Sequence, residues 1–390
     1  MSRLEELIQQ YCPDGVEYYK IKDVYKRIKG TPITAGKMKE IATPDGSVRI
    51  FAGGKTVIDA NEKDIPNANI TRVPAVLVQS RGVIDAVYYD KPFTFKNEMW
   101  AYTTFNQKSV KYLYYILKSN IQTFRDAASG MGSLPQISLG VTEEFEIPVP
   151  PLPVQEEIVR ILDAFTELQA ELQAELQKRL QQYNYYRDNL LSFEGRTDVQ
   201  WKKLNEVATV YDGTHQTPAY KESGIPFISV ENIGNIYNSR KYISREDFDK
   251  YKIKPRMGDV FMTRIGSIGV CAVFEKQADI AYYVSLALIR PNQDAVNSRY
   301  LKHIIESLTG CKELRKRTLV NAVPIKVNKD DIGKIVLPFP SLAEQQKIVS
   351  ILDRFDSLTN DLTEGLPAEI EKRRLQYEYY RDKLLTFKRK

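Results

Sequence analysis

Two turns of the sequence place an arginine beside a glycine. One is Ser80-Arg81-Gly82, and the other is Thr263-Arg264-Ile265-Gly266; both are called arginine turns below. Glycine lets a backbone come close to a ligand, and arginine can hold a guanine edge through two hydrogen bonds. An arginine in this position could equally bind a phosphate or a carbonyl group, because phosphate contacts generally outnumber base contacts. Both turns are therefore candidate contacts with nucleic acid.

Two further segments carry side chains that could bind a polyanion. Thr214, His215 and Gln216 are polar donors and acceptors on a predicted loop, although a turn that satisfies only its own backbone would use similar residues. A basic cluster follows a predicted helix, where it could clamp phosphates or form a solvated face. Its members are Lys312, Arg315, Lys316 and Arg317.

The sequence contains no recognisable catalytic constellation. Methylation of amino groups would use an Asn/Asp-Pro-Pro-aromatic motif and a glycine-rich cofactor loop, and a P-loop would read GxxxxGK[ST]; none of these occurs. The two histidines and the three cysteines, Cys12, Cys271 and Cys311, have no metal-like spacing. We predict that the chain binds and positions its partners, without a metal or cofactor of its own.

Positive charge collects outside the predicted helical regions. The net charge is +6, and residues 199–338 carry 22 Lys and Arg against 15 Asp and Glu, whereas residues 150–198 carry 5 against 9. A basic globular surface is typical of polyanion binding, although a mixed solvated surface could look similar. No apolar run of about 18 residues and no apolar signal core occur, so we expect a cytoplasmic protein without membrane contact.

The sequence is internally duplicated. Ile158–Phe165 recurs at Ile348–Phe355 with an offset of 190, and Tyr183–Phe193 recurs at Tyr377–Phe387 with an offset of 194. The similarity is strong in the predicted helices and weak in the globular parts. A shared scaffold with two divergent globular parts would give one chain two binding specificities.

Each repeat contains a long predicted helix. Over about 154–193 an apolar stripe runs at steps of three and four residues, and a second helix is expected over about 342–387. A helix of 40 residues would span about 60 Å and needs a partner helix, for which the other copy is the obvious candidate. Gly365 and Pro367 predict a kink or break in the second helix.

The globular parts have the pattern of small sheets, so the predicted fold class is α+β. Helices fit 108–119 and 297–308. Short apolar or alternating runs between turn residues predict strands at 18–24, 47–52, 75–79, 83–89, 201–210, 225–230, 259–263, 268–274 and 282–289. The predicted domains are two globular parts with small sheets, 1–150 and 196–340, and two long helical regions, 151–195 and 341–390.

These features resemble the DNA-specificity subunits of type I restriction-modification systems. The resemblance is carried by Ile158–Phe165, the Glu-Leu-Gln-Ala tetrapeptides that begin at Glu167, Tyr183–Phe193 and the second copies of the two flanking motifs. The Gly-Thr loop, Asp212-Gly213-Thr214-His215-Gln216-Thr217-Pro218, is similar to a Gly-Thr-Pro-type loop of the family, and the arginine turns are similar to its Arg-Gly-Thr-Ile-Gly-type turn. The first half departs from this pattern, because Lys29-Gly30-Thr31-Pro32 is a less clear match.

The resemblance implies two target-recognition domains that each read half of a split double-stranded DNA sequence. It implies antiparallel packing of the long helices as a coiled-coil spacer. It also implies that two methyltransferase subunits dock on the helix ends, that restriction and translocase subunits join through the assembly, and that these other subunits use S-adenosylmethionine, ATP and magnesium. The predicted DNA-binding residues are Ser80, Arg81, Gly82, Thr214, His215, Gln216, Thr263, Arg264, Lys312, Arg315 and Arg317. The residues predicted for docking and for the coiled coil are Ile158, Leu162, Phe165, Tyr183, Tyr186, Arg187, Leu190, Ile348, Leu352, Phe355, Tyr377, Tyr380, Arg381 and Leu384.

Two other functions are compatible with the residues. The chain could be a coiled-coil scaffold that joins two protein partners without reading DNA. It could also be a nuclease with an unrecognised site, although Pro13-Asp14 near Glu17 and Lys20 has the wrong spacing for a nuclease motif. His303, on a predicted helix, is expected to be structural.

Overall fold

The chain forms two compact units. The computed structural model describes residues 2–54, 56–129, 134–360 and 365–390. Unit 1 contains Met1–Leu172 and Ile370–Lys390, and unit 2 contains Gln173–Glu369. Each unit therefore combines one globular part with helical segments from both sequence repeats.

The globular part of unit 1 is a small α+β domain. Its helices are α1 (Arg3–Tyr11), α2 (Ile21–Val24), α3 (Ala35–Ile41), α4 (Gln107–Ser119), α5 (Ile121–Asp126) and α6 (Leu139–Glu143), with a 3-10 turn at Glu62–Asp64. Its strands are β1 (Tyr18–Lys20), β2 (Lys26–Ile28), β3 (Val48–Phe51), β4 (Val57–Ala60), β5 (Ala75–Gln79), β6 (Asp85–Tyr89), β7 (Phe93–Phe95), β8 (Trp100–Thr103) and β9 (Glu146–Pro148). All five residues of β5 are buried, which explains its continuous apolar run.

A long helix, α7 (Leu152–Leu190), follows, and residues on either side of position 172 belong to different units. The globular part of unit 2 then begins. Its helices are α8 (Leu204–Val207), α9 (Arg245–Asp249), α10 (Ser298–Glu306), α11 (Leu308–Arg315) and α12 (Lys329–Gly333), with a 3-10 turn at Val230–Asn232. Its strands are β10 (Gln200–Lys203), β11 (Ala208–Asp212), β12 (Ile225–Ile228), β13 (Tyr242–Ile243), β14 (Val260–Thr263), β15 (Cys271–Val273), β16 (Ala281–Tyr282), β17 (Leu286–Pro291) and β18 (Val336–Phe339).

The two units have the same sheet topology. Unit 1 contains a four-stranded antiparallel sheet in the order β2-β8-β5-β6, and unit 2 contains its counterpart, β11-β17-β14-β15. In each three-stranded sheet, β4-β3-β7 and β13-β12-β16, the central strand is antiparallel to one neighbour and parallel to the other. A two-stranded sheet joins β1 to β9 and β10 to β18. The duplication therefore extends through the globular parts, where sequence similarity is weak.

Equivalent residues begin and anchor the helix that packs beside each four-stranded sheet. Asn106 caps α4 and Asn297 caps α10, because their side chains accept hydrogen bonds from backbone N–H groups of the first turn. Tyr112 in α4 and Tyr300 in α10 are fully buried, and their hydroxyl groups donate to carbonyl groups of β9 and β18 at 3.2 and 2.8 Å. The predicted helices at 108–119 and 297–308 are therefore confirmed, and each fastens its sheet to the strand that precedes a long helix.

The second helical region consists of two helices, α13 (Leu342–Asn360) and α14 (Leu366–Leu385). A single helix over 342–387 is thus wrong, and the predicted break near Gly365 is confirmed. Pro367 lies in the first turn of α14, as Pro153 lies in the first turn of α7, where a missing N–H group is tolerated. Among the described residues, no helix combines the length and apolar character needed to cross a membrane.

Each unit pairs part of α7 with a helix from the other repeat. In unit 2, the Tyr186 ring stacks on Phe355 with centroids 5.4 Å apart, and Arg196, further along the chain, bonds to the first turn of α13 at 2.6 Å. These two contacts require antiparallel helices. In unit 1, Phe165 stacks on Tyr380 at 5.7 Å. The two stacking pairs are equivalent, since each joins the first motif of one repeat to the second motif of the other.

Candidate nucleic-acid interface and docking surfaces

The Arg264 side chain is buried, which corrects the prediction of an arginine free to reach DNA. Only 6% of the residue is exposed, and its guanidinium forms an ion pair with Asp212 at the start of the Gly-Thr loop. Its backbone N–H donates to the Ser285 carbonyl at 3.0 Å. Thr263 beside it is fully buried as well. Arg264 therefore holds two loops together instead of projecting from one of them.

The arginines of the two turns are not at equivalent positions. Gly82 and Gly266 are equivalent, because their N–H groups donate to the segments around 135 and 325 at 2.9 Å each. The equivalent of Arg264 is therefore Ser80, one residue before Arg81. Successive side chains of an extended segment point to opposite sides.

This shift of one residue explains the opposite environments of the two arginines. Ser80 is fully buried like Arg264 and donates to the Glu98 carbonyl, whereas Arg81 is exposed. Arg81 has no carboxylate within 4 Å among the described residues. Among the residues that the structure describes, the unit 1 turn thus presents an arginine without a carboxylate partner, whereas the arginine of the unit 2 turn is paired.

The Gly-Thr loop of unit 2 has a close backbone contact that excludes a side chain at Gly213. A Cβ atom there would lie 2.4 Å from the Tyr283 carbonyl oxygen. In unit 1, a Cβ atom at Gly30 would lie 2.1 Å from the Phe95 carbonyl oxygen, so the less clear match at Lys29–Pro32 is the structural equivalent. Lys29 then takes the place of Asp212.

The remaining members of the Gly-Thr loop are available to a ligand. His215 and Gln216 are exposed, and Thr214 is half-buried. The Thr214 hydroxyl also accepts a hydrogen bond from the Gln216 backbone N–H at 3.2 Å, as expected of a turn that satisfies its own backbone. The loop is therefore stabilised by its own hydrogen bond and exposes two polar side chains, His215 and Gln216.

In the basic cluster of unit 2, some side chains are exposed and one is hydrogen-bonded to the backbone. Lys312 and Arg315 are exposed on α11, with no carboxylate within 4 Å among the described residues. Arg317 is half-buried and donates to the Lys334 carbonyl at 2.8 Å, so it fixes the chain after α11 and is not the free phosphate contact predicted.

A loop that the sequence analysis did not select lies beside each arginine turn. In unit 2 it is the ribbon loop, residues 319–326, whose ends Leu319 and Lys326 pair with each other. In unit 1, Ser129 and Gln136 pair in the same way and enclose the same number of residues, of which 130–133 lie outside the described ranges. A proline flanked by apolar residues after a basic cluster is the only sequence signal for this loop.

Five of the fourteen residues predicted for docking and the coiled coil are core residues. Ile158, Leu162, Tyr183, Ile348 and Leu352 are buried in their own units, so they do not form a partner surface. Arg187 lies over the Tyr183 ring at 5.5 Å and pairs with its neighbour Asp188. Besides Arg187, the predicted residues that remain partly or largely exposed are Phe165, Tyr186, Leu190, Phe355, Tyr377, Tyr380, Arg381 and Leu384.

A buried polar contact orients the helices within each unit. Asp353 accepts from buried His303 at 2.9 Å, and Asp163 accepts from the Tyr115 hydroxyl at 2.5 Å at the equivalent place in unit 1. Burial alone would raise the pKa of Asp353, but hydrogen bonds from His303 and Arg299 outweigh burial and lower it. His303 therefore has the structural position that was predicted.

Two exposed tyrosines occupy equivalent positions on the helices. Tyr185 is 67% exposed and Tyr379 is 61% exposed. Each packs edge-on against the next tyrosine, at 5.6 Å in unit 2 and 5.3 Å in unit 1. The doubled tyrosine in each motif was the sequence signal for these two residues, which the site prediction omitted.

Comparison with known proteins identifies relatives of one kind. The family model of the type I restriction modification DNA specificity domain matches residues 13–182 and 197–372. The specificity subunit of the type I restriction enzyme EcoR124I/EcoR124II from Escherichia coli is 36% identical over 301 residues, which cover 72% of this chain and 72% of that protein. A putative type I restriction enzyme specificity subunit from Haemophilus influenzae is 36% identical over 259 residues, covering 63% and 64%.

Solved structures have the same fold. The S subunit of a type I restriction-modification system from M. genitalium superposes with a TM-score of 0.62 at 16% identity, over 96% of this chain and 97% of that chain. A chain from a study of complex assembly and conformational transition in a type I restriction-modification system gives a TM-score of 0.52 at 17% identity, over 96% and 98%.

Proposed function

Because this chain belongs to the family of type I restriction-modification DNA-specificity subunits, we propose that it reads a bipartite double-stranded DNA sequence, with one globular part for each half-site. A specificity subunit is a DNA-recognition protein without catalysis of its own, as the sequence analysis predicted. The methyltransferase and restriction subunits would supply S-adenosylmethionine, ATP and magnesium chemistry.

The observation that carries this proposal is that the two units have the same sheet topology but different residues in their loops. In each unit the same strand order accompanies a close-contact glycine (Gly30 or Gly213), an arginine turn and a bridge that closes a loop (Ser129–Gln136 or Leu319–Lys326). The residues at equivalent places differ, with Lys29 against Asp212 and Ser80 against Arg264. Equal frames whose loops carry different residues suit two different half-sites.

The helices between the globular parts are proposed as the spacer that sets the gap between half-sites. One helix, α7, contains residues of both units, and its middle is the tetrapeptide repeat. A helix rises ~1.5 Å per residue, so one tetrapeptide adds about 6 Å. DNA rises about 3.4 Å per base pair, so this length corresponds to one to two base pairs.

Deletion of Ala170–Gln173 is expected to shorten the unmethylated gap by one to two base pairs and to leave both half-sites unchanged. Methylome sequencing of a host that carries the chain with its methyltransferase subunits measures the gap. The double variant Glu171→Ala/Gln173→Ala keeps the helix length and should keep the gap. An unchanged gap after deletion contradicts the spacer role, whereas a methylome without any bipartite motif contradicts the proposed function itself.

Tyr185 and Tyr379 are proposed to mark the docking places of two methyltransferase subunits. Exposed aromatic side chains are frequent anchors of protein interfaces. The two residues lie at equivalent positions in the repeat, so two identical partners could bind in the same way. The restriction and translocase subunits would then join through the assembly.

Replacement of either tyrosine by serine is expected to weaken one of the two methyltransferase binding events by at least about tenfold, because an interface anchor contributes about 2 kcal/mol. Native mass spectrometry should then find complexes with one methyltransferase subunit. Tyr11→Ser, which replaces a tyrosine that is 44% exposed on α1, is the matched control and should bind two. Full occupancy in both single variants and in the double variant would exclude this docking surface.

The scaffold alternative makes a different prediction for DNA. A scaffold would bind DNA without regard to sequence, even when methyltransferase subunits are present. Electrophoretic titration at one stated salt concentration, with and without those subunits, separates the two functions, because non-specific binding depends steeply on salt.

A further inference from the structure

The ribbon loop of unit 2 is fastened firmly at its base. The Leu319 N–H donates to the Lys326 carbonyl at 2.7 Å, and the Gly266 N–H donates to the Ile325 carbonyl at 2.9 Å. The Val327 N–H donates to the Arg264 carbonyl at 3.0 Å. The ribbon loop is therefore built onto the arginine turn, whose Arg264 is in turn paired with the Gly-Thr loop.

The ribbon loop presents apolar side chains to solvent, both between its ends and at its base. Val323 is 99% exposed, which means that its side chain touches almost nothing in unit 2. Leu319, Val320 and Ile325 are exposed as well. Single exposed apolar residues are ordinary, but four within one short loop form a patch that suits a contact with another molecule.

Cationic residues that flank the ribbon loop in the sequence favour a polyanion as that molecule. Lys312 and Arg315 precede the ribbon loop and Lys326 closes it, and all three are exposed without a carboxylate within 4 Å among the described residues. A protein partner with an apolar surface would not need these three positive charges beside its contact. Charge complementarity and continuity with the Gly-Thr loop both point to DNA.

We propose that the ribbon loop enters the major groove at the second half-site and that Val323 contacts the 5-methyl group of a thymine. This proposal rests on the proposed function and names a residue that reads sequence. The major groove is about 12 Å wide and the minor groove about 6 Å, so the major groove has more room for a loop closed by the Leu319–Lys326 bridge. The thymine methyl is the apolar group that the major groove offers.

Unit 1 has an equivalent loop base, between Ser129 and Gln136. The Gly82 N–H donates to the Pro135 carbonyl at 2.9 Å, and Leu134 is 54% exposed. Loops of equal length and unlike sequence at equivalent positions fit a role in reading two different half-sites.

The test uses complexes of the full chain with its methyltransferase subunits and duplexes that carry the mapped recognition sequence. Thymines are replaced one at a time by deoxyuridine, which lacks only the methyl group. One replacement, in one half-site, should weaken binding about fourfold, as expected for the loss of one buried methyl contact. The Val323→Ala complex should bind the unmodified duplex at least about fourfold more weakly and should no longer distinguish thymine from deoxyuridine at that position.

The controls separate the failure of this proposal from the failure of the proposed function. Val323→Ala should melt at the wild-type temperature, and Val73→Ala, which alters an exposed valine of unit 1, should keep the thymine discrimination. Equal binding of all deoxyuridine duplexes by the wild type, a Val323→Ala complex that keeps its discrimination, or a half-site without thymine overturns the proposal. Wild-type complexes that bind DNA without sequence preference overturn the proposed function instead.

Discussion

Removal of residues 370–390 is expected to unfold the globular part of unit 1, at the other end of the sequence, and to leave unit 2 folded. Leu385 is buried in the core of unit 1, and the Tyr18 hydroxyl donates to the Phe387 carbonyl at 2.9 Å. The Val16 N–H donates to the Lys388 carbonyl at 2.9 Å. Each buried apolar side chain contributes about 1.5–3 kcal/mol, so losing several consumes most of the about 5–15 kcal/mol that stabilises a domain.

Hydrogen exchange followed by mass spectrometry measures this prediction unit by unit. Amides of β5 and β8 in unit 1 should lose protection in the truncated chain, and those of β14 and β17 in unit 2 should keep it. A milder variant is Leu385→Ala, which removes a buried leucine and should lower the free energy of unfolding of unit 1 by about 2–4 kcal/mol. Its matched control is Leu375→Ala, which removes a leucine that is 53% exposed and should change that free energy little. Full protection of unit 1 after truncation would show that the carboxyl-terminal segment is dispensable.

Arg264→Met is expected to destabilise unit 2 by about 3 kcal/mol and to abolish discrimination at the second half-site. Breaking a buried ion pair leaves a charge without its partner, which costs roughly 3–5 kcal/mol, and the lower end applies because Asp212 is partly exposed. The loss also releases the Gly-Thr loop from the arginine turn. Arg264 acts here as a positioning residue, so the expected defect is in the placement of loops and not in a lost base contact.

Two companion variants distinguish this explanation from a direct contact with DNA. The double variant Asp212→Asn/Arg264→Met removes both charges and should recover much of the lost stability, because replacing a whole buried pair is often nearly neutral. Arg81→Met should leave stability unchanged and weaken binding at the first half-site only, since Arg81 is exposed. Denaturant unfolding and DNA titration give both quantities, and an Arg264→Met protein of wild-type stability would refute the buried pair.

The sequence predicted the elements whose signals are local. β5 is a buried run of four apolar residues followed by Gln79, and α4 has a capping asparagine and a regular apolar face. Strands such as β7 and β13 were missed because they have three and two residues and form by pairing with β3 and β12, which are distant in sequence. Short segments like these carry no periodicity of their own.

For the site residues too, features set by neighbouring residues were predicted, and features set by residues distant in sequence were not. The two arginine turns were recognised from their glycines, but both arginines were predicted to reach DNA, although they occupy positions that are not equivalent. Only the hydrogen bonds of Gly82 and Gly266 reveal the shift of one residue. The partner of Arg264 lies 52 positions away, at Asp212, so no local pattern could have announced that Arg264 is buried.

The exchange of helical segments between the repeats has a consequence for inheritance. Ile158 and Leu162 in unit 1 have the same residue types and burial as Ile348 and Leu352 in unit 2, and the two stacked aromatic pairs also match. A genetic crossover between the two copies of a helical motif would therefore join a foreign globular part to a helix whose buried surface is already complementary. New pairs of half-sites could arise in a single recombination event, without any selection for repacking the core.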